Sequence, residues 1–199
     1  MRIIVFLFIV SLSLSSFSQD KSGINWMTLP EVEAAMKIQK KKVFVDLYTD
    51  WCGWCKRMDQ TTFADPTVIE YMNKNYYCVK FDAERRDTVV FNNYKFFDVS
   101  PTGKRGTNLF AYTLLEGKMS YPSFVMLDEN YNRINVIAGY KTPEPFFGIL
   151  MFFSTNEYQA YSNFVLGQFQ KQMQDQAQQQ APPQSQTQSE PRPPLQPQR

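Results

Sequence analysis

The chain has 199 residues, with 21 basic and 19 acidic side chains, three cysteines and no histidine. The missing histidine excludes Ser-His-Asp and Cys-His catalytic pairs as well as metal sites with histidine ligands. The near-neutral charge gives no electrostatic basis for binding nucleic acid, whereas 43% hydrophobic residues can supply a core, so the chemistry must come from carboxylates, amines, hydroxyls or cysteines.

The first residues have the pattern of a secretory signal peptide. Met1 and Arg2 give a positive start, residues 3–14 are apolar, and residues 15–18 include small side chains suited to cleavage. An uncleaved anchor helix is the alternative, but the apolar run of about 12 residues is shorter than the roughly 20 needed to span a bilayer. We expect residues 1–18 to be removed, which predicts an exported protein, periplasmic or extracellular, with no membrane span after cleavage.

Residues 19–167 are predicted to form one folded domain. Thr28 and Glu31 form a capping-box pattern with Pro30 in the first turn, and this pattern predicts a helix over residues 28–40. The next predicted elements are a buried strand over residues 43–48, a helix over 56–62, a helix over 65–74 and a strand over 76–82.

The second half of the domain begins with a hairpin pattern. Residues 89–96 alternate around Asn92 and Asn93, which favours a tight turn. Further along, we predict a loop over 101–106, a helix over 108–116 ended by Gly117, strands over 123–128 and 133–138, and helices over 143–153 and from 156 onward. This order predicts an α/β sandwich around a mixed sheet.

Residues 168–199 differ in composition from the rest of the chain. They are rich in Gln and Pro and poor in apolar side chains, so they bury too little surface to offset the entropy of ordering. We predict a disordered tail that begins as an extension of the last helix. A linker or spacer is favoured over a specific binding motif.

Two cysteines, Cys52 and Cys55, lie three positions apart where the first long strand gives way to a helix. The N-terminus of a helix favours a thiolate, so the pKa of Cys52 is expected below the free value of about 8.5. Cys55 lies one turn further along and is expected to be more buried. The pattern therefore predicts an exposed nucleophile, Cys52, and a resolving thiol, Cys55.

Three other interpretations compete with this one, and the sequence argues against the first two. A zinc site usually needs four ligands, and only Cys78 is left over in a chain without histidine. A covalent haem site requires histidine at the position of Lys56. An inert structural disulfide is the third alternative. Cys78 itself lies in an apolar strand pattern, which is typical of a packing residue.

The residues around the pair resemble the active-site segment of the thioredoxin superfamily over residues 45–56. Residues 61–68 resemble its exported thioredoxin-like branch, which includes the C-terminal domain of the transmembrane electron carrier for periplasmic reduction. Residues 121–128 resemble the family's cis-proline strand, and Gly139 and Tyr140 match the end of its last strand. The resemblance covers about residues 25–153.

This resemblance implies a thioredoxin-like three-layer sandwich, with a mixed central sheet flanked by helices and an inserted hairpin and helix before the cis-proline strand. It implies that Asp46, which lies in an apolar strand, takes the proton from Cys55, and that Lys80 pairs with Asp46. It also implies a cis bond before Pro122. The alternatives are a structural Asp46, a surface Lys80 and an ordinary trans proline at the start of a strand.

The resemblance also implies a surface that contacts the substrate. Trp54 replaces the usual proline between the cysteines, and Tyr121 is larger than the residue usual at its position. The long insertion before Pro122, with its loop over residues 104–106, either shapes a partner surface or decorates the scaffold. The expected substrate contacts are Trp51, Gly53, Trp54, Tyr121, Pro122 and Ser123.

Together these features predict an exported thiol-disulfide oxidoreductase acting in the reducing or isomerising direction. It needs no cofactor or metal, because electrons pass by thiol exchange. The expected partners are protein thiols and disulfides, with a membrane electron donor as a further candidate, and neither nucleic acid nor an oligomer is expected. The alternative is a non-catalytic interaction module with a structural disulfide.

Overall fold

The computed structural model describes residues 23–180. The predicted signal peptide and residues 181–199 of the predicted tail lie outside this range. The chain divides into two units, one ending at Ser154 and the other beginning at Thr155. The first unit holds the sheet and the cysteine pair, and the second holds one long helix.

A five-stranded mixed sheet forms the centre of the first unit. Its strands lie in the order β1-β3-β2-β6-β7, with β1, β3 and β2 parallel and β6 and β7 antiparallel to their neighbours. The strands are β1 (Trp26–Met27), β2 (Lys42–Tyr48), β3 (Tyr76–Asp82), β6 (Ser123–Leu127) and β7 (Arg133–Ala138). The predicted strands are confirmed, and β1 is an addition that two residues were too few to signal.

Helices lie on both faces of this sheet, which confirms the three-layer sandwich. They are α1 (Leu29–Ile38), α2 (Gly53–Gln60), α3 (Pro66–Asn75), α4 (Leu109–Leu114) and α5 (Pro143–Ser154), with a short 3-10 helix at Thr62–Ala64. The capping box of α1 is present, and Asp65 caps α3 ahead of Pro66. The start of α2 at Gly53 is earlier than predicted, because Cys52 serves as its N-cap.

The inserted hairpin is also confirmed. β4 (Val89–Phe91) pairs with β5 (Tyr94–Phe96) in a separate two-stranded sheet. Asn92 and Asn93 both have positive φ angles, 50° and 64°, as a two-residue hairpin turn with the twist of the flanking strands requires. The insertion then continues through α4 before the chain enters β6.

Alternation along β2 separates two apolar layers. Val43, Val45 and Leu47 point to one face, where they pack in the cluster that includes residues of α1 and α4. Phe44 points to the other face and meets an aromatic layer that fills the space beneath α3 and α5. Asp46 shares the face of Phe44, so its carboxyl group enters this aromatic layer.

Among its described residues, the second unit contains α6 (Glu157–Gln180). The predicted domain boundary at residue 168 falls inside this helix, because the Gln-rich residues 168–180 contain no Gly or Pro and Gln favours helix well. The division into domains therefore stays a prediction. Within residues 23–180, every helix is too short or too polar to span a bilayer.

We expect Phe44→Ala to lower the free energy of unfolding by about 3–5 kcal/mol, because it leaves a cavity in a packed layer. Phe44 is fully buried, and its ring lies 5.7 Å from that of Phe124 and 5.8 Å from that of Phe146, centroid to centroid. Urea unfolding of the oxidised protein measures the change. Ile38→Ala is the control, since Ile38 is 91% exposed and should change stability by less than about 0.5 kcal/mol.

Candidate functional site

The cysteine pair lies at the junction of β2 and α2, and the two residues are joined in a disulfide. The Sγ atom of Cys52 accepts a hydrogen bond from the backbone N–H of Cys55 at 3.0 Å. The first cysteine therefore caps the helix with its own sulfur, at the end where the backbone N–H groups are free. This geometry places the sulfur in the field that favours a thiolate after reduction.

The expected difference in exposure between the two cysteines is wrong for this oxidised form. Cys52 is 4% exposed and Cys55 is 3% exposed, so both are buried. The physical reason is the disulfide itself together with the capping hydrogen bond, since both draw the sulfur of Cys52 back against the first turn of α2. Access to Cys52 is thus limited while the pair is oxidised.

Beneath the helix, Asp46 and Lys80 form the expected ion pair. The two residues are direct partners in the parallel register of β2 and β3. The Nζ atom of Lys80 lies 3.1 Å from Oδ2 of Asp46, whose side chain is 2% exposed. The pairing predicted from the resemblance is therefore present, although its chemical role stays a prediction.

A second carboxylate, from Asp59, was missed by the sequence analysis. Asp59 on α2 also pairs with Lys80, so the ammonium group bridges a buried and an exposed carboxylate. Because Asp59 follows Cys55 by four positions, both lie on the same face of α2. This spacing was visible in the sequence, but nothing there placed Lys80 opposite it.

Aromatic rings surround the ammonium group of Lys80. Its Nζ atom lies 5.2 Å from the ring centroids of Trp26 and Tyr48 and 5.5 Å from that of Phe63. Rings at this distance attract a cation through their negative faces. They also keep water away from Asp46, so the ion pair lies in a largely apolar layer.

Burial of Asp46 changes its protonation. Desolvation raises the pKa of its carboxyl group to about 6, and the positive charge of Lys80 only partly opposes this. The Oδ1 atom of Asp46 is buried and has no hydrogen-bond partner among the described residues. The carboxyl group thus changes charge near neutral pH and keeps one oxygen available for a proton.

The segment before β6 lies beside the cysteines. The Tyr121–Pro122 bond is cis, which confirms the expectation. The rings of Tyr121 and Trp51 meet edge to face at 6.0 Å, and this contact places the proline segment next to the residue preceding Cys52. The carbonyl of Pro122 accepts a hydrogen bond from the N–H of Gly139 at 2.8 Å.

The expected substrate contacts fall into two groups. Trp51 and Trp54 are 53% and 62% exposed, and Gly53 between them is exposed as well. Tyr121 is partly buried, whereas Pro122 and Ser123 are buried. The hydroxyl group of Ser123 donates to the carbonyl of Ser120 at 2.8 Å. The hydroxyl group of Ser123 is therefore used in an internal hydrogen bond and is closed to a partner in this form.

The third cysteine takes no part in the disulfide. Cys78 is a buried free thiol in β3, and burial raises its pKa far above the ordinary value. A buried thiol with a raised pKa is a poor nucleophile. Its position agrees with the packing role expected from the sequence.

The chain is similar to a known family and to individual proteins. A family described as thioredoxin-like matches residues 25–128. An uncharacterized protein of Archaeoglobus fulgidus is 37% identical over 110 residues, which cover 55% of this chain and 83% of that protein. The thiol:disulfide interchange protein DsbD of Campylobacter jejuni is 24% identical over 95 residues, 46% of this chain but only 17% of that protein.

Solved structures show weaker overall similarity. A DsbH oxidoreductase has a TM-score of 0.45 at 14% identity, covering 64% of this chain and 82% of that one. A putative disulphide-isomerase from Bacteroides thetaiotaomicron has a TM-score of 0.46 at 20% identity, covering 66% and 93%. The matched family segment, the sheet order and the disulfide before α2 lead to one assignment: the chain belongs to the thioredoxin-like family and is disulfide oxidoreductase-like.

Proposed function

We propose that this protein is an exported thiol-disulfide oxidoreductase that exchanges disulfides with other proteins. The observation that carries the proposal is the disulfide at the start of α2, where the sulfur of Cys52 accepts the N–H of Cys55. After reduction, this N–H group stabilises negative charge on Cys52 and lowers the pKa of its thiol. Cys52 is therefore the nucleophile and Cys55 the resolving thiol.

The exchange proceeds in two steps. The thiolate of Cys52 attacks a partner disulfide, so that a bond between Cys52 and the partner forms while the partner's own bond breaks and one partner thiolate leaves. The thiolate of Cys55 then attacks the sulfur of Cys52. The intrachain disulfide forms, the second partner thiol leaves, and two electrons have passed to the partner.

Asp46 serves the second step in this proposal. Cys55 must lose its proton before it attacks, and a carboxylate with a pKa of about 6 accepts a proton near neutral pH. Lys80 holds this carboxylate in place from the neighbouring strand, and Asp59 connects the same lysine to the exposed side of α2. The proton thus has a route from the buried thiol toward solvent.

The partner surface is assigned to the exposed rings beside the disulfide. Trp51 and Trp54 flank Gly53, and the Pro122 segment lies against Trp51 through Tyr121. An extended partner segment pairs with backbone at such a site and gains apolar contact from the rings. Shape and backbone pairing fit the near-neutral charge of the chain better than electrostatic attraction does.

The setting of the reaction follows from the N-terminal residues and from the relatives. The predicted signal peptide supports export to the periplasm, and the name of the DsbD relative specifies thiol-disulfide interchange. We propose protein thiols and disulfides as the partners, a membrane protein as the electron donor, the reducing or isomerising direction, and a monomer that needs no cofactor. The tail remains assigned as a spacer.

A second candidate function has one observation in its favour. The 4% exposure of Cys52 is what a structural disulfide in a non-catalytic interaction module would show. The buried carboxyl group argues against this candidate, because a charge held in an apolar layer costs stability and a purely structural disulfide gains nothing from it. The reactivity of the disulfide separates the two.

We expect Cys52→Ser to abolish the acceleration that the wild type gives to the reduction of insulin by dithiothreitol, since the nucleophile is gone. Cys55→Ser should instead accumulate a mixed disulfide with the partner, because the resolving thiol is missing. Turbidity measures the first result, and nonreducing electrophoresis with mass spectrometry measures the second. Full activity of Cys52→Ser would refute the proposed function. Cys78→Ser is the control and should retain the activity of the wild type.

The reduction potential of the Cys52–Cys55 pair tests the direction. A reductase or isomerase should have a value between about −270 and −180 mV, measured by equilibration with glutathione or dithiothreitol. A value near about −120 mV would indicate an oxidant. A value below about −300 mV is typical of a structural disulfide and would favour the interaction module.

We expect Asp46→Asn to raise the free energy of unfolding at pH 7 by about 2–3 kcal/mol. The folded pKa of about 6 lies above the ordinary 3.8, so the folded protein holds a proton that the unfolded chain has released. Stability from this group is therefore full below the ordinary pKa of 3.8 and is lost as the pH rises from there through the folded pKa of about 6.

Urea unfolding between pH 4 and pH 8 measures this effect, and the Asp46→Asn curve should be flatter than that of the wild type. Asp59→Asn is the matched control, because it removes the other carboxylate of Lys80. Asp59 is 42% exposed, so its loss should change stability by less than about 1 kcal/mol. Equal stability of the wild type and Asp46→Asn at pH 7 would contradict the assigned burial cost.

A further inference from the structure

A loop of the insertion, residues 97–109, reaches the edge of the disulfide site; we call it the rim loop. Its two ends pair with each other: the N–H of Val99 donates to the carbonyl of Thr107 at 2.9 Å, and the N–H of Leu109 donates to that of Phe97 at 2.8 Å. These bonds close the loop on itself. Its tip, residues 100–106, is therefore held at a fixed base.

One carboxylate organises the tip of the rim loop. Asp98 accepts hydrogen bonds from the N–H groups of Ser100 and Thr107 at 2.9 and 3.0 Å, and from the hydroxyl of Ser100. Arg86, outside the loop, donates to Asp98 at 3.1 Å and to the carbonyl of Lys104 at 2.6 Å. The tip is thus held by Asp98 within the loop and by Arg86 outside it.

Close backbone contact seats the tip beside Glu84. A Cβ atom added at Gly106 would lie 1.8 Å from the carbonyl oxygen of Glu84, so only glycine fits there. Glu84 also accepts a hydrogen bond from the indole Nε1 of Trp51 at 3.0 Å. The rim loop and Trp51 therefore rest on the same residue.

This seating brings Arg105 onto Trp51. The guanidinium carbon of Arg105 lies 4.7 Å from the indole centroid, within the range of a cation–π interaction. Tyr121 meets the same indole edge to face at 6.0 Å. Trp51 is consequently held by Glu84, Arg105 and Tyr121, while 53% of its surface stays open to solvent directly beside Cys52.

We propose that Arg105 is a positioning residue that fixes the indole of Trp51 as a wall of the partner-binding surface. This inference rests on the proposed oxidoreductase function and adds its selectivity. Because the indole is ordered before binding, association loses less side-chain entropy. This favours partners that contact the indole, which are extended protein segments with a disulfide. A small disulfide reaches Cys52 without contacting the wall and gains nothing from it.

The contacts of Arg105 are consistent with this role. Among the ion pairs of residues 23–180, Arg105 takes part in none, so its guanidinium group is committed to the indole rather than to a carboxylate. Its neighbour Lys104 carries the same charge and is exposed, but its fixed contacts are made by its backbone. Lys104→Ala therefore removes a positive charge from the tip, whereas Arg105→Ala removes a positive charge together with the contact to the indole.

The test measures single-turnover oxidation of the reduced protein by two disulfides, insulin and 2-hydroxyethyl disulfide. In each reaction the two thiols of the protein become the Cys52–Cys55 disulfide, and the substrate disulfide becomes two thiols. We expect Arg105→Ala to lower the second-order rate constant with insulin about 5–10-fold and that with the small disulfide less than twofold. Lys104→Ala should leave both rate constants unchanged.

A spectroscopic readout tests the positioning independently of activity. In a background with Trp26→Phe and Trp54→Phe, Trp51 is the sole tryptophan, and Arg105→Ala should make its fluorescence at least 1.5-fold more sensitive to acrylamide quenching. Gly106→Ala should reproduce both effects by displacing the tip. The reduction potential should stay unchanged in both variants, since the contact involves the ring and not the sulfur.

Several outcomes would overturn the proposal. These are an unchanged rate with insulin, an equal loss with both substrates, an equal loss in Lys104→Ala, or unchanged quenching. Failure of the proposed function looks different: the reduced wild type would then react with neither disulfide, which refutes the selectivity as well, while increased quenching in Arg105→Ala would still establish the contact. Thermal unfolding of each variant verifies that it is folded.

Discussion

The parallel pairing of β2 and β3 sets Asp46 directly opposite Lys80, on the face of the sheet that lies beneath α2. The same face carries Phe44 and the aromatic layer, so a charged pair is built into an apolar environment. Burial disfavours the carboxylate, and the lysine recovers only part of that cost. The result is a group that changes protonation near neutral pH directly below the cysteine helix.

Lys80 connects this buried charge to the surface. Its ammonium group contacts three rings and both Asp46 and Asp59, so it is held by aromatic faces and by opposite charges at once. Only one of the two carboxylates is exposed. Lys80 thus links a buried carboxyl group to a carboxylate at the surface through one ammonium group.

The insertion supplies the outer half of the site. A minimal scaffold of this fold needs only a connection between β3 and β6, but here that connection carries a hairpin, the rim loop and α4. Arg86 and Asp98 give the rim loop a fixed shape, and Glu84 joins it to Trp51. The sheet core and the inserted segment thus meet at Trp51, the residue that precedes Cys52.

Much of the fold is determined locally and could be predicted from the sequence. Alternation in β2, the caps at Thr28 and Asp65, and the Asn92–Asn93 turn each act over a few residues, so their patterns were sufficient. The cysteine spacing at a strand-helix junction and a lone aspartate in an apolar strand likewise indicated two features that the structure contains, the disulfide and the buried ion pair. Within residues 23–180, β1 was missed because two residues carry no period, and the short 3-10 helix at Thr62–Ala64 was missed as well.

Tertiary structure decided what depends on distant segments meeting. Nothing in the spacing of Asp59 and Lys80, or of Trp51 and Arg105, indicates that these side chains touch, because each contact depends on how strands pair and where a loop returns. The burial of Cys52 was equally hidden, since it follows from the closed disulfide and its hydrogen bond. The sequence by itself determined the reactive groups and the elements that carry them. The packing of the sheet, α2 and the insertion decided their protonation, their access and their neighbours, because burial and charge act through space and not along the chain.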